Sequence, residues 1–138
     1  MTTRRLAAIL AADVVGFSSL MGQDDEGTLA RMKALRREVI EPKVQEHHGR
    51  VFKTTGDGLL VEFQSPVEAV RCALGVQEAL GSHASQEPSR AFQLRIGINL
   101  GDIIIEEDGD VYGDGVNVAA RLEQLAEPGS ISISAKIL

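Results

Sequence analysis

Two aspartates in this 138-residue chain stand where carboxylates can do metal chemistry. Asp13 closes an apolar run from Leu6 to Ala12, and Asp57 lies within Gly56-Asp57-Gly58 between two apolar segments. Two carboxylates held on rigid elements can ligate one or two Mg²⁺ ions and leave positions for phosphate oxygens. Taken singly, Asp57 is a good turn residue and Asp13 a strand-end residue. Taken as a pair at one end of a sheet, a metal site is the better reading. Val15-Gly16-Phe17-Ser18-Ser19 follows the first aspartate. A glycine and small hydroxyl residues entering a helix can present backbone N–H groups to a phosphate. By itself that pattern is weak, because many loops share it.

Further polar residues fall into pairs. Asn117 and Arg121 are four apart on an expected helix and share one face. Val118, Leu122 and Leu125 are assigned to another face, in the core. Asn suits a ribose and Arg a phosphate. On spacing alone, a solvated face with Arg121 paired to Glu123 or Asp114 is the simpler explanation. Lys53 and Asp110 could read the edge of a base, as donor and acceptor. They serve equally as edge-strand charges that discourage sheet pairing. His47, His48 and His83 lie at helix ends without metal-ligand spacing and receive no catalytic role. Cys72 is the one cysteine, so it has no intramolecular partner. Its apolar helical surroundings predict a buried, unreactive thiol, and the lack of cysteine pairs fits a reducing compartment.

The elements that must position these residues can be read from periodicity and punctuation. Residues 6–12 predict a buried strand. Asp24 or Asp25 can cap a helix carrying Leu29, Met32, Leu35, Val39, Ile40 and Val44, with Arg31, Lys33, Arg36 and Arg37 in water. Pro42 predicts a kink or break near Glu41. Residues 50–63 read as a hairpin whose Gly56 and Gly58 supply positive φ angles, with Phe52, Leu59, Val61 and Phe63 towards the core. Ser65, Pro66 and Glu68 form a helix start with a capping box, and that helix runs to about His83, with a loop from Gly81 to Pro88. Strict alternation from Phe92 to Leu100 predicts a strand, extended by Ile103-Ile104-Ile105 past a bulge at Gly101. Asp108-Gly109 predicts a turn into a short strand over 110–112. Asp114 then caps a helix to about Ala126, and Ile131 and Ile133 mark a last strand. The first six elements are β-α-β-β-α-β, an α+β, ferredoxin-like (split βαβ) antiparallel sheet with helices on one face.

Composition narrows the function. The formal net charge is -6, which disfavours nucleic acid as a partner but permits a nucleotide bound through a metal ion. Arg4-Arg5 before the apolar run mimics a short signal peptide, but Asp13 and Val14 to Phe17 argue against one. The run is too short to span a bilayer. The chain is therefore expected to be cytoplasmic and to make no membrane contact itself, although a parent protein could be membrane-attached.

In combination, four ordered segments resemble the catalytic domain of class III adenylyl and guanylyl cyclases. Ala8 to Ser18 looks like its first metal motif, and Lys53 to Gly58 like its second. Arg95 to Asn99 is similar to its long central strand, and Asp110 to Arg121 to its transition-state segment. The resemblance covers essentially the whole chain. It implies that Asp13 and Asp57, with the Val14 carbonyl, hold two Mg²⁺ or Mn²⁺ ions. It implies that backbone groups at Gly16, Phe17 and Ser18 bind the triphosphate, and that Lys53 and Asp110 recognise adenine. Guanylyl cyclases usually have other residue types at those two positions, so ATP is the expected substrate. Asn117 would orient the ribose, and Arg121 would stabilise charge at the α-phosphate. The family works as a head-to-tail dimer in which Asp13 and Asp57 serve one site and Lys53, Asp110, Asn117 and Arg121 the other, so a homodimer with shared sites is expected. The product would be 3′,5′-cyclic AMP with pyrophosphate.

Two departures accompany the resemblance. The family domain continues into strands bearing a phosphate-binding lysine, so residues 1–138 are expected to be one domain cut short at its C-terminus, weakly active or inactive alone. Asp102 stands where some members have a phosphate-binding arginine. The alternative from another class is a non-catalytic, cyclase-like module for dimerisation or nucleotide sensing. Retention of both aspartates, Asn117 and Arg121 speaks against it. A diguanylate cyclase would need a Gly-Gly-Asp/Glu-Glu-Phe hairpin, which Gly56-Asp57-Gly58-Leu59 does not match.

Overall fold

The spine of the sheet is β1 (Thr3–Val14), an apolar strand buried from Ala7 to Ala12. In the computed structural model, which describes residues 2–86 and 92–135, β1 has an antiparallel neighbour on each side. One is β3 (Gly58–Phe63), the return strand of a hairpin with β2 (Arg50–Thr54). The other is β4 (Leu94–Ile105). Beyond β4 lie β5 (Val111–Tyr112) and β6 (Ile131–Ile133), giving the order β2-β3-β1-β4-β5 with β6 also on β4. The first four strands follow the split βαβ order that the element pattern predicts. The β6 pairing is parallel, so the sheet is not antiparallel throughout.

One face carries the larger core. Leu10, Ala12, Leu59, Val61, Phe63, Leu94, Ile96 and Ile98 pack there against Met32, Ile40, Val44, Cys72 and Val76. These last five come from α2 (Asp25–Leu35), a π-helical turn (Arg36–Ile40), α3 (Glu41–Glu46) and α4 (Pro66–Gln86). The expected break at Pro42 does not occur. Pro42 lies in the first turn of α3, where its missing N–H costs little, and the π turn carries the helix into it. Asp24 caps α2 by accepting from the Gly27 amide. Thr28 is buried and donates to the Leu20 carbonyl, whereas Leu29 stays exposed. Arg31 stacks over the Phe92 ring and is only half in water. Ser65 caps α4 through the Glu68 amide. The Glu68 carboxylate does not reach back to complete a box; it meets His47 Nδ1 at 2.8 Å. Helix α4 runs to Gln86, past the expected end near His83. The His83 side chain and residues 87–91, including part of the expected loop, lie outside the described set. Burial raises the Cys72 thiol to about 12, as an unreactive cysteine requires.

The opposite face carries a second, smaller core of Ala7, Ile9, Ala11, Ile103, Val111 and Ala119. Helix α5 (Asp114–Leu125) covers it, so helices lie on both faces and not on one. Its buried residues are Gly115, Ala119 and Glu123. Val118 and Leu122 are only half-buried, and Leu125 is 77% exposed, against the expectation that they form the helix's core face. The reason is close packing. A Cβ on Gly97 would collide with the Glu123 nitrogen and lie 2.6 Å from the Ala119 carbonyl oxygen. At Gly101 it would meet the Gly115 Cα at 3.2 Å. Small residues let the helix axis approach, and large ones cannot face the sheet. β4 runs through Gly101 in unbroken register, without the expected bulge. Gly97→Ala is therefore expected to cost about 1–3 kcal/mol, because helix backbone cannot move aside. Thermal unfolding should show a fall of several degrees.

The irregularity in the hairpin lies elsewhere. Pairing of β2 with β3 shifts between Val51 and Lys53, and Phe52 turns towards the second core. Neither Gly56 nor Gly58 has a positive φ. Gly58 is needed for closeness: a Cβ there would lie 2.7 Å from the Ala12 carbonyl oxygen. The Asp108-Gly109 turn forms as expected, with Gly109 at φ 88°. The N-cap of α5 is Gly113, at φ 122°, and Asp114 lies inside the first turn.

Candidate active site

Three elements meet at one end of the sheet. β1 delivers Asp13, which pairs with Gly58 and Arg95 on its two neighbours. The β2–β3 turn delivers Asp57, whose carbonyl accepts from the Val14 amide at 3.2 Å. Helix α1 (Phe17–Gln23), the helix that the Val15 to Ser19 pattern enters, starts at Gly16 with φ 68°. Its first helical bond runs from the Leu20 amide to the Gly16 carbonyl, so the amides of Phe17, Ser18 and Ser19 precede it without an intrahelical acceptor. A Cβ on Gly56 would sit 3.8 Å from the Phe17 ring, which places this helix start against the Asp57 turn. Asp13, Val14, Asp57, Gly16, Phe17 and Ser18 are thus brought together. Both aspartates are half-buried.

Two acidic neighbours had no signal in local spacing. Glu123 is 5% exposed and lies against Asp13. Burial and then the Asp13 carboxylate push its carboxyl well above the usual carboxylate range; Asp57 adds to the rise and Arg95 opposes it. Gln124 Nε2 donates to Glu123 Oε2 at 2.6 Å and lies 3.5 Å from Asp13 Oδ2. Asp13 Oδ1 is buried and has no hydrogen-bond partner. An orphaned buried carboxylate oxygen is costly unless an ion or proton completes it. That oxygen, the Asp57 carboxylate and the Val14 carbonyl are hard donors that fit Mg²⁺ or Mn²⁺. Among the described residues no group of three or more His, Cys, Asp or Glu side chains is arranged to hold a metal, so phosphate oxygens or water would have to complete the shell.

The remaining candidates form a second cluster. The Asp110 carboxylate accepts from Tyr112 Oη at 2.9 Å and from the Val111 amide at 2.9 Å. These bonds hold it below the usual carboxylate range, and Lys53 and Arg50 add to the effect. Lys53 and Asp110 therefore share one electrostatic environment although β2 and β5 lie at opposite edges of the sheet. The sheet curls enough for Arg50 of β2 to donate to the Gly109 carbonyl at 2.8 Å. Asn117 and Arg121 are exposed on α5. Arg121 makes no ion pair among the described residues, and Glu123, its expected partner, faces Asp13 instead. Asp102 is exposed and pairs with Leu6, well along β4 from Arg95 and hence away from the Asp13 end.

Residues 2–138 match the family model described as the adenylate and guanylate cyclase catalytic domain. The chain belongs to that family. This cyclase domain is 57% identical over 132 residues to a protein named as a candidate adenylate cyclase in Rhizobium meliloti (strain 1021), covering 95% of the chain and 22% of the relative. It is 31% identical over 124 residues to an adenylate cyclase of Glutamicibacter nicotianae, covering 90% and 29%. The chain thus spans less than a third of the length of these relatives. Among solved structures, an adenylate/guanylate cyclase/hydrolase from Silicibacter pomeroyi superposes with a TM-score of 0.91 at 48% identity, covering 99% of the chain and 80% of the other. The guanylyl cyclase Cya2 gives 0.87 at 27% identity, covering 99% and 78%. The curled, mainly antiparallel sheet with packed helices is that of a class III cyclase domain. No helix among the described residues is long and apolar enough to cross a membrane.

Proposed function

We propose that the domain is an adenylate cyclase that forms 3′,5′-cyclic AMP and pyrophosphate from ATP at sites shared between two copies. The observation that carries this reading is the convergence of Asp13, Asp57 and the α1 amides at one sheet end. Asp13, Asp57 and the Val14 carbonyl would hold two divalent ions, Mg²⁺ or Mn²⁺. Bound there, the ions would supply acidification of the ribose 3′-hydroxyl and neutralisation of the phosphates. The amides of Gly16, Phe17 and Ser18 bind the triphosphate, an arrangement that suits an anion at a helix start.

The second cluster acts on the other end of the nucleotide. Lys53 donates to and Asp110 accepts from the adenine edge, with Tyr112 and the Val111 amide fixing the Asp110 oxygens. Asn117 orients the ribose, and Arg121 faces the charge that grows at the α-phosphorus. In one protomer these residues lie on α5 and the sheet edges, so a head-to-tail copy presents them to the partner's aspartates. Exposure of Leu125 at 77% and Tyr112 at 51% beside them supports a covered surface there. Residues 1–138 are read as one catalytic domain; the cytoplasm is the proposed compartment.

The test is an assay with Mn²⁺ of a chain extended past Leu138, with ATP and GTP side by side across protein concentration. We expect ATP to be preferred and the rate to rise more steeply than linearly with concentration. A preference for GTP would overturn the roles of Lys53 and Asp110. A strictly linear rate down to nanomolar protein with ATP sites intact in the monomer would overturn the shared site.

A further inference from the structure

A buried carboxylate anchors a bridge between the two edges of the sheet. Glu62 of β3 is 5% exposed, and a charge so far out of water must be paired. Two guanidinium groups hold it, Arg5 at 2.7 Å on one oxygen and Arg50 Nε at 2.6 Å on the other. Arg50 stands opposite Glu62 at the start of β2 and has donors to spare. With Nε fixed on Glu62, its terminal amine donates to the Gly109 carbonyl at 2.8 Å. Gly109 lies in the turn from β4 into β5, and β5 is at the opposite edge of the sheet from β2. A Cβ on Gly109 would lie 3.4 Å from the remaining Arg50 nitrogen, so the guanidinium rests closely on this turn.

Each end of the bridge adjoins a residue assigned to the base. Lys53 follows Arg50 by three on β2, just past the register shift. Asp110 follows Gly109 directly. The turn that carries Asp110 is closed by its own bonds, from the Gly109 amide to the Glu106 carbonyl and from the Glu106 amide to the Asp110 carbonyl, both 2.9 Å. Tyr112 Oη and the Val111 amide fix the Asp110 carboxylate. Asp110 is therefore firm within its hairpin, while its distance from Lys53 depends on what joins the hairpin to β2. The planar guanidinium sets the direction of both Arg50 bonds at once.

We propose that Arg50, anchored on Glu62, is a positioning residue that sets the gap between Lys53 and Asp110 and thereby the preference for adenine over guanine. This rests on the reading of Lys53 and Asp110 as the residues that meet the base.

The test is kcat/KM for ATP and for GTP with Mn²⁺ in the chain extended past Leu138, beside thermal unfolding. Arg5 and Arg50 each give one cation to Glu62, so Arg5→Met and Arg50→Met should lower Tm by similar amounts. Arg50 is the one of the two that bonds the β4–β5 turn. We expect Arg50→Met to lower the ATP-over-GTP ratio about tenfold or more, chiefly through a higher KM for ATP, and Arg5→Met to keep the parent's ratio. A ratio that falls equally in both variants, or in neither, would overturn the inference, since the cluster would then serve stability alone. Arg50→Lys keeps a cation on Glu62 and should keep the parent's Tm, but one ammonium cannot span both acceptors. It should lose the ratio as Arg50→Met does, and it carries the test where the methionine variant does not fold. Arg50→Lys with the parent's ratio would overturn the bridge, because charge alone would suffice. Asp110→Ala without effect on the ratio would remove the base-reading role itself, and this inference with it; a parent inactive with both nucleotides would do the same.

Discussion

Replacing Asp57 with alanine is expected to abolish Mn²⁺-dependent cyclic AMP synthesis while leaving the fold intact. The two halves of that result have separate causes. What Asp57 gives the fold is a backbone carbonyl, the acceptor for the Val14 amide; alanine keeps it. The turn is closed by Thr55, whose hydroxyl and amide bond Gly58. Asp57→Ala should therefore unfold at the parent's temperature. What it loses is one of two carboxylates at a site where Asp13 is the other. Metal stabilisation of charge in phosphoryl chemistry is worth several kcal/mol, so the rate should fall by about 10³ or more. The measurement is initial velocity with ATP and saturating Mn²⁺ in the extended chain. Undiminished velocity would refute the metal assignment.

Arg121→Ala is expected to lower kcat by about 10²–10³, the scale of one charge contact made in the transition state. The side chain is exposed and makes no ion pair with a described residue, so stability should not change. An effect confined to KM would contradict the role. The two variants also test the shared site together. If Asp57 and Arg121 act in different sites, a mixed dimer retains one complete site. Equal mixing of two inactive proteins should then restore about a quarter of the parent activity, from half the dimers each with one working site. Two inactive variants that stay inactive when mixed would place both residues in one site.

Much of this architecture was legible locally. The apolar run ending at Asp13, the Asp24 and Ser65 caps, the Asp108-Gly109 turn and the burial of Cys72 follow from period and punctuation, which act over a few residues. The motif order along the chain was likewise sufficient to point to the family. Misreadings arose where a residue's reason lies far away in sequence. Gly101 looked like a bulge and Leu125 like a core residue because alternation and helical spacing carry no trace of which surface a helix will meet.

What the chain order alone determined was the set of elements and the presence of two acidic strand-end positions. Only the folded packing decided that α5 crosses the second face of the sheet, pressed on Gly97 and Gly101. That contact turns Gly115, Ala119 and Glu123 inward and leaves Asn117 and Arg121 outside. It also makes Glu123 a buried neighbour of Asp13 instead of a solvated partner for Arg121. The physical reason is that charge and burial are properties of surroundings, and these surroundings are assembled by strands and a helix that no local window contains.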